Sequence, residues 1–354
     1  MLFKIIFTTL LLLTCCPSRG DILFLGDTHF GENYQYSPRY NRGENVINEY
    51  GYDYFFENVK DILAHSEVTF ANLETPLISS PEMPVSYYKP YLHWSDPDAA
   101  PKFLAKYNIK YVSLGNNHVF DYGAAGFIQT VFSLQASGIS HFGAGSNDSA
   151  AIAPLVTTSE SHTLIVFGGF EYRQKYDSLY DFYADENKSG VNRLDTIRLN
   201  QQIREYRRKY PEGIIVIYPH WGSNYKPAGE NQKAMARSYI NAGADVIIGH
   251  GAHTVQEAEL YKGKWIFYNI GNFIFNAPGR YASTGALPYG MMVSLKIEGS
   301  AIRPMVYPLY TNNKESDYNL RLLDDDELLE CAEYMFGSTK YRLDHNEHSI
   351  APTN

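Results

Sequence analysis

Apolar and polar positions along this chain separate into two periodicities. Short runs rich in Val, Ile, Leu, Tyr and Phe recur at Ile22–Leu25, Val68–Ala71, Tyr111–Leu114, Leu164–Phe167, Ile214–Tyr218, Val246–Ile248, Trp265–Tyr268 and Met291–Ile297. Most are bounded by Gly, Asn or Asp, as buried strands are. Between them lie stretches with helical spacing: Tyr54–Ala64, Ala99–Lys106 after Asp96-Pro97-Asp98, Gly126–Ser137, Arg193–Lys209 and Asn231–Asn241. Alternating strands and helices predict a layered α/β fold.

Three irregular segments interrupt the rhythm: Gly31–Tyr52, Ser79–Ser95 and Tyr172–Ser189. Loops this long are usually functional lids or disordered segments. From Asn312 the chain turns acidic at Asp324–Glu327, becomes helical to about Met335, and is expected to end in a loose tail. No repeat or linker-like composition shift divides the rest. One domain over 21–311 is therefore expected, followed by an acidic helix and tail over 312–354.

The first twenty residues read as an export signal. Lys4 precedes an apolar core from Ile5 to Leu13, and the small residues Ser18 and Gly20 suit cleavage before Asp21. The core is too short to span a bilayer as a mature helix. Leu12-Leu13-Thr14-Cys15 also resembles a lipidation site, which would anchor the protein through Cys15 or Cys16. Thr before Cys disfavours that route, and either route places the protein at the periplasm, the cell surface or outside. Cleavage leaves Cys331 alone, so no disulfide framework is expected. The net charge of −9 argues against nucleic acid as a partner. The 30 Tyr suit either a polymer-facing surface or ordinary packing.

The chemistry gathers where the apolar runs end. Ile22–Leu25 leads into Gly26-Asp27-Thr28-His29, and Val68–Ala71 into Asn72-Leu73-Glu74. Tyr111–Leu114 leads into Gly115-Asn116-Asn117-His118, with Asp121 following. Ile214–Tyr218 leads into Pro219-His220-Trp221-Gly222, and Val246–Ile248 into Gly249-His250-Gly251-Ala252-His253. Ligands of open α/β sheets collect outside the carboxyl ends of strands, so these five corners are expected to converge. Asp27 and Glu74 supply anionic oxygens, Asn117 a carbonyl, and His29, His220, His250 and His253 nitrogens. That set suits two divalent cations, Mn, Fe or Zn. An alternative turns Asn72 inward and pairs Glu74 with an Arg. Asn116 reads as a turn residue, and His93-Trp94 as packing rather than a substrate platform. Asn269, Gly271 and Asn272 fit either a turn or the wall of the same cleft. His65, His141 and His162 have no site-like context.

Taken in order, GDTHF, NLETPL, SLGNNHVFDYG, HFGAG, HWG, GADVIIGHGAH and GNFIF resemble the CapA family of capsule-synthesis proteins, a branch of the calcineurin-like metallophosphoesterases. The resemblance runs from Asp21 to about Phe275. It implies a four-layer α/β/β/α sandwich with a metal site at the strand ends. It also implies that Asp27, His29 and His253 hold one metal, Asn117, His220 and His250 the other, and that Glu74 bridges them. His118 would assist the leaving group, oriented by Asp121. The chain departs from the family at Gly251-Ala252, where His-Pro is usual, and at Ser223-Asn224, where a Glu is common. The implied role is capsule or extracellular polymer biosynthesis, such as poly-γ-glutamate. Partners would be an anionic polymer or phosphoester, and other capsule-synthesis components at the membrane. A non-catalytic metal-containing protein that binds or anchors the polymer is the competing reading. Binding a polyanion would need metal or a basic patch, for which Arg39, Arg42, Lys89 and Arg173 are the candidates.

Overall fold

The computed structural model of the chain describes residues 21–35, 45–86, 89–159, 162–299, 301–337 and 340–353. The expected export signal with Cys15 and Cys16, and the candidate cations Arg39 and Arg42, lie outside the described residues. The α/β class is borne out: the structure is built on two large sheets with helices between their strands in sequence.

The larger sheet is centred on Ile22–His29. This strand runs parallel to Val68–Leu73, which pairs in turn with Ile109–Ser113, and Ser140–Phe142 completes that side. On its other side the first half of Ile22–His29 pairs antiparallel with Tyr289–Glu298, and its second half pairs parallel with Asn272–Phe275. The second sheet runs in the order Ala258–Tyr261, Lys264–Phe267, Val246–Ile248, Ile214–His220, His162–Phe170 and Leu155–Ser159. Its four central strands are parallel.

Strand periodicity explains the packing, because successive side chains point to opposite faces. Ile22 and Phe24 share one core with Val216, Tyr218, Val246 and Ile248 of the second sheet. Leu23 and Leu25 face the other way, onto Leu63, Leu104 and Leu134 of three helices. Ile215 and Ile217 pack on Leu199, Ile203 and Ala236 of two more. The two sheets therefore meet through one apolar interface, and helices cover their outer faces.

Several boundaries differ from the expected ones. The helix expected over Tyr54–Ala64 is a 3₁₀ turn at Tyr52–Phe56 and a short helix at Lys60–His65. Asp195 caps a helix that begins at Thr196 rather than Arg193, its carboxylate accepting from Ile197 N and Arg198 N. A strand at Ala301–Tyr310 pairs along its whole length with Tyr289–Glu298. Pro304 and Pro308 obscure it in sequence, since proline is rare in paired strands. The expected loose tail is also corrected. Tyr341–Asp344 and Ser349–Pro352 form an antiparallel pair whose Ile350 joins Val306 at the sheet edge. The acidic run before it is a capping box, in which Asp324 and Glu327 each take the other's backbone N–H. The helix that follows buries Leu328, Cys331 and Met335 in the inter-sheet core. Among the described residues, no helix is long and apolar enough to cross a membrane.

Gly26 marks where Ile22–His29 changes neighbours, and the pairing register shifts between Phe24 and Asp27. A Cβ at Gly26 would lie 2.1 Å from the Gly271 carbonyl oxygen, a backbone atom that cannot swing aside. Gly26→Ala should lower stability by about 1–3 kcal/mol, the usual cost of forcing an atom into a packed site. A urea unfolding midpoint equal to wild type would refute this account of the crossing.

Candidate metal centre

All five sequence corners come together at the carboxyl ends of parallel strands. Asp27 and His29 close the central strand of one sheet, with Asn72 on the next strand and Glu74 just past its end. His220 closes a strand of the other sheet and forms a parallel bridge to His250. Asp27, Glu74 and His250 are fully buried, and His220 and His253 nearly so.

Asp27 is the hub. Its Oδ1 accepts from Asn72 Nδ2 at 2.9 Å and its Oδ2 from Gly251 N at 3.0 Å. His250 Nδ1 lies 3.2 Å from Oδ1, His253 Nδ1 3.4 Å from Oδ2, and His220 Nδ1 3.7 Å from Oδ1. Burial alone would raise this carboxyl, but the His250 contact and the neighbouring imidazoles outweigh it and hold it at about 2. Glu74 has the opposite balance. Burial and then the charge of Asp27 push it well above the usual carboxylate range. Its Oε1 stands 3.8 Å from His118 Nε2 and 3.9 Å from both His220 Nε2 and His253 Nε2. Neither Glu74 oxygen has a hydrogen-bond partner, so the Arg pairing considered for it is absent among the described residues.

Two sets of ligand-type atoms follow from this geometry: Asp27 with His220 and His250, and Asp27 with Glu74 and His253. Asp27 is common to both. Burial pushes His220 and His253 below the normal histidine range, which leaves neutral imidazoles able to donate a lone pair. His250 Nε2 and Asn117 Oδ1 are buried without partners. Two carboxylates, neutral imidazoles and orphaned acceptors are a donor set that fits divalent cations.

His29 belongs to neither set. Its ring stacks on His93 at 4.3 Å, its Nε2 faces the Trp94 carbonyl at 3.4 Å, and burial lowers it to about 3. His93, read from sequence as packing, is sandwiched between His29 and His118, 3.5 Å from the latter. Its Nδ1 lies 3.0 Å from the Glu74 carbonyl, and its backbone N–H donates to Asp121 Oδ2 at 2.7 Å. No local spacing announces this role, because the stack joins three separate corners.

His118 Nδ1 lies 2.7 Å from Asp121 Oδ2. Lys89, a candidate surface cation in the sequence, is buried instead. Its Nζ is 2.6 Å from Asp121 Oδ1 and 3.2 Å from His118 Nδ1, and it faces the rings of Tyr176 and Phe182. Burial raises Asp121 to about 6 against the opposing pull of Lys89, and burial followed by Lys89 lowers His118. Arg173 is held by Glu171 and the Gly222 carbonyl. Asn116 shapes the turn, its Oδ1 accepting from His118 N and Val119 N. Asn272, one of the undecided residues, accepts at Oδ1 from His253 Nδ1 at 2.9 Å and donates to the Tyr281 hydroxyl. A cleft of about 210 Å³ opens above His118 and His253, walled by Phe275 and Pro278.

Comparison with known proteins identifies the family. The capsule biosynthesis protein CapA of Bacillus anthracis is 28% identical over 265 residues, 74% of this chain and 62% of that protein. The PGA biosynthesis protein CapA of Bacillus subtilis is 30% identical over 240 residues, 66% of this chain and 60% of that one. The match thus spans about three fifths of these relatives' length. The family described as bacterial capsule synthesis protein PGA_cap matches residues 21–277, a span that holds every ligand-type residue of the centre, and the chain belongs to that family.

Proposed function

We propose that this chain is a metal-dependent hydrolase of the phosphoesterase type, acting after export in the making of an extracellular polymer of the poly-γ-glutamate kind. One observation carries the reading: a single buried carboxylate, Asp27, is common to two sets of ligand-type atoms beside a His118–Asp121 pair. Relatives named for capsule and PGA biosynthesis support the process. Other capsule-synthesis components at the membrane would be its partners.

In this reading Asp27, His220 and His250 hold one divalent cation, with Asn117 nearby, and Asp27, Glu74 and His253 hold the other. When bound, such a pair supplies a nucleophilic water at neutral pH and Lewis-acid stabilisation of the leaving oxygen. The chain's own groups do the positioning. Asn72 and the Gly251 N–H fix Asp27, and Asn272 fixes the ring of His253. His118 is clamped at Nδ1 by Asp121, so its Nε2 faces Glu74 and the cleft. Carrying a second proton, at Nε2, it would be placed there to give that proton to the departing atom of a phosphoester, anhydride or amide. The relatives are named for biosynthesis, which favours a second reading: the same centre binds the nascent polymer without cleaving it.

Elemental analysis of the purified protein should find about two divalent metals per chain. His253→Ala should lose at least one of them, and metal content equal to wild type would remove His253 from the centre. His118→Ala should keep its metal while turnover falls about 10²–10⁴-fold, the usual contribution of a positioned proton donor. Full metal occupancy with no turnover on phosphoester, anhydride or amide polymer would sink the hydrolase and leave the binding protein.

A further inference from the structure

The mouth of the cleft carries a cation that the chemistry above does not use. Arg280 is exposed at its rim, and its guanidinium carbon sits 5.1 Å from the centre of the Tyr225 ring. Among the described residues it has no carboxylate within ion-pair distance, whereas Arg173 is engaged by Glu171. Asn224, which shares the cleft, is neutral.

Tyr225 is built to hold that position. It is 7% exposed, and its backbone lies in the left-handed region at φ 59°. A bulky side chain is rarely found there, and such strain persists only where surrounding contacts enforce it. The contacts are the Tyr225 N–H donating to the Ala252 carbonyl at 2.7 Å, the Tyr281 ring edge-on at 5.2 Å, and the His253 ring at 5.8 Å. Tyr225 is thus wedged between the turn that bears His253 and the guanidinium at the rim. Its hydroxyl lies against Arg280, and burial keeps it protonated by raising it to about 12.

We propose that Arg280, seated on Tyr225, is a specificity-determining contact that receives a carboxylate of an anionic chain lying over the centre. This rests on the reading that the Asp27–Glu74 centre is where the polymer is engaged. A guanidinium has five N–H donors, so one held by Tyr225 retains others for a planar oxyanion. The walls argue for a carboxylate borne on a chain that contains methylene groups rather than a bare phosphate. Phe275 and Pro278 line the same cleft as Arg280, His118 and His253, and apolar walls suit CH₂ groups. A protein of net charge −9 also needs a local cation to draw in a polyanion.

Calorimetric titration of the full chain, as purified, with a hexamer of γ-linked glutamate tests this. Arg280→Gln should weaken binding about tenfold or more, as expected for loss of one charge-assisted pair, and Arg280→Lys should fall between. A γ-linked hexamer of equal length with each α-carboxylate replaced by its amide should bind wild type and Arg280→Gln alike. Equal affinity of wild type and Arg280→Gln for the glutamate hexamer overturns the proposal. So does an equal loss for the α-amide hexamer, which would mark a change of shape. Inorganic phosphate weakened by Arg280→Gln while the glutamate hexamer is not would overturn the carboxylate assignment. Metal content and turnover are read separately, so failure of the hydrolase reading leaves an Arg280-dependent affinity standing, and the reverse.

Discussion

The structure is organised around the burial of one negative charge. Asp27 is fully out of water, where an ionised carboxylate is tolerated only with compensating donors or cations. The fold brings those donors from both sheets: Asn72 from a neighbouring strand, the Gly251 N–H from across the interface, and imidazoles at His220, His250 and His253. Each has a backbone consequence. The central strand breaks register before Asp27, and the Tyr218 hydroxyl crosses the core to the Leu25 carbonyl, tying the sheets together beneath the site.

Gly251 shows how closely the backbone is used. Its φ is 106°, which few residues but glycine adopt, and a Cβ there would come within 2.9 Å of the His220 ring. That conformation turns its N–H onto Asp27 and leaves room for His220 beside it. Position 251 is where the second sheet touches the hub. Two residues on, His253 also sits at positive φ, 59°, held by Asn272 and by the Tyr281 hydroxyl bonded to its carbonyl. Strain is concentrated on the turn that carries the ligand-type rings.

Much of this was legible in the chain itself. The apolar runs marked about half the strands of the two sheets, the central parallel ones among them, because buried parallel strands are continuous in hydrophobicity. The polar residues just past them were readable as a group, since parallel strands deliver their carboxyl ends to one side. What lay beyond reach was tertiary. Lys89 and Arg173 look alike in sequence, yet one is buried against Asp121 and the other is half-exposed on Glu171. His93 sits in an irregular segment, and only the fold places it between His29 and His118. Arg280 and Tyr225 lie in loops of different elements, and nothing in their spacing links them.

The stack of His29, His93 and His118 adds a constraint that the ligand sets alone do not. Three imidazoles at 4.3 and 3.5 Å repel if more than one is charged, and burial already favours their neutral forms. Asp121 would draw a proton onto His118 through its 2.7 Å contact with Nδ1, but Lys89 occupies the other carboxylate oxygen at 2.6 Å. The buried pair presents little net charge to the ring, so Asp121 directs His118 without forcing it to be cationic. The result is an imidazole whose orientation is fixed on one face by His93 and at one nitrogen by Asp121. Its Nε2 remains the one ring atom turned toward Glu74 and the cleft. In that sense the irregular segment carrying Lys89 and His93 is as much a part of the centre as the strands that carry its carboxylates.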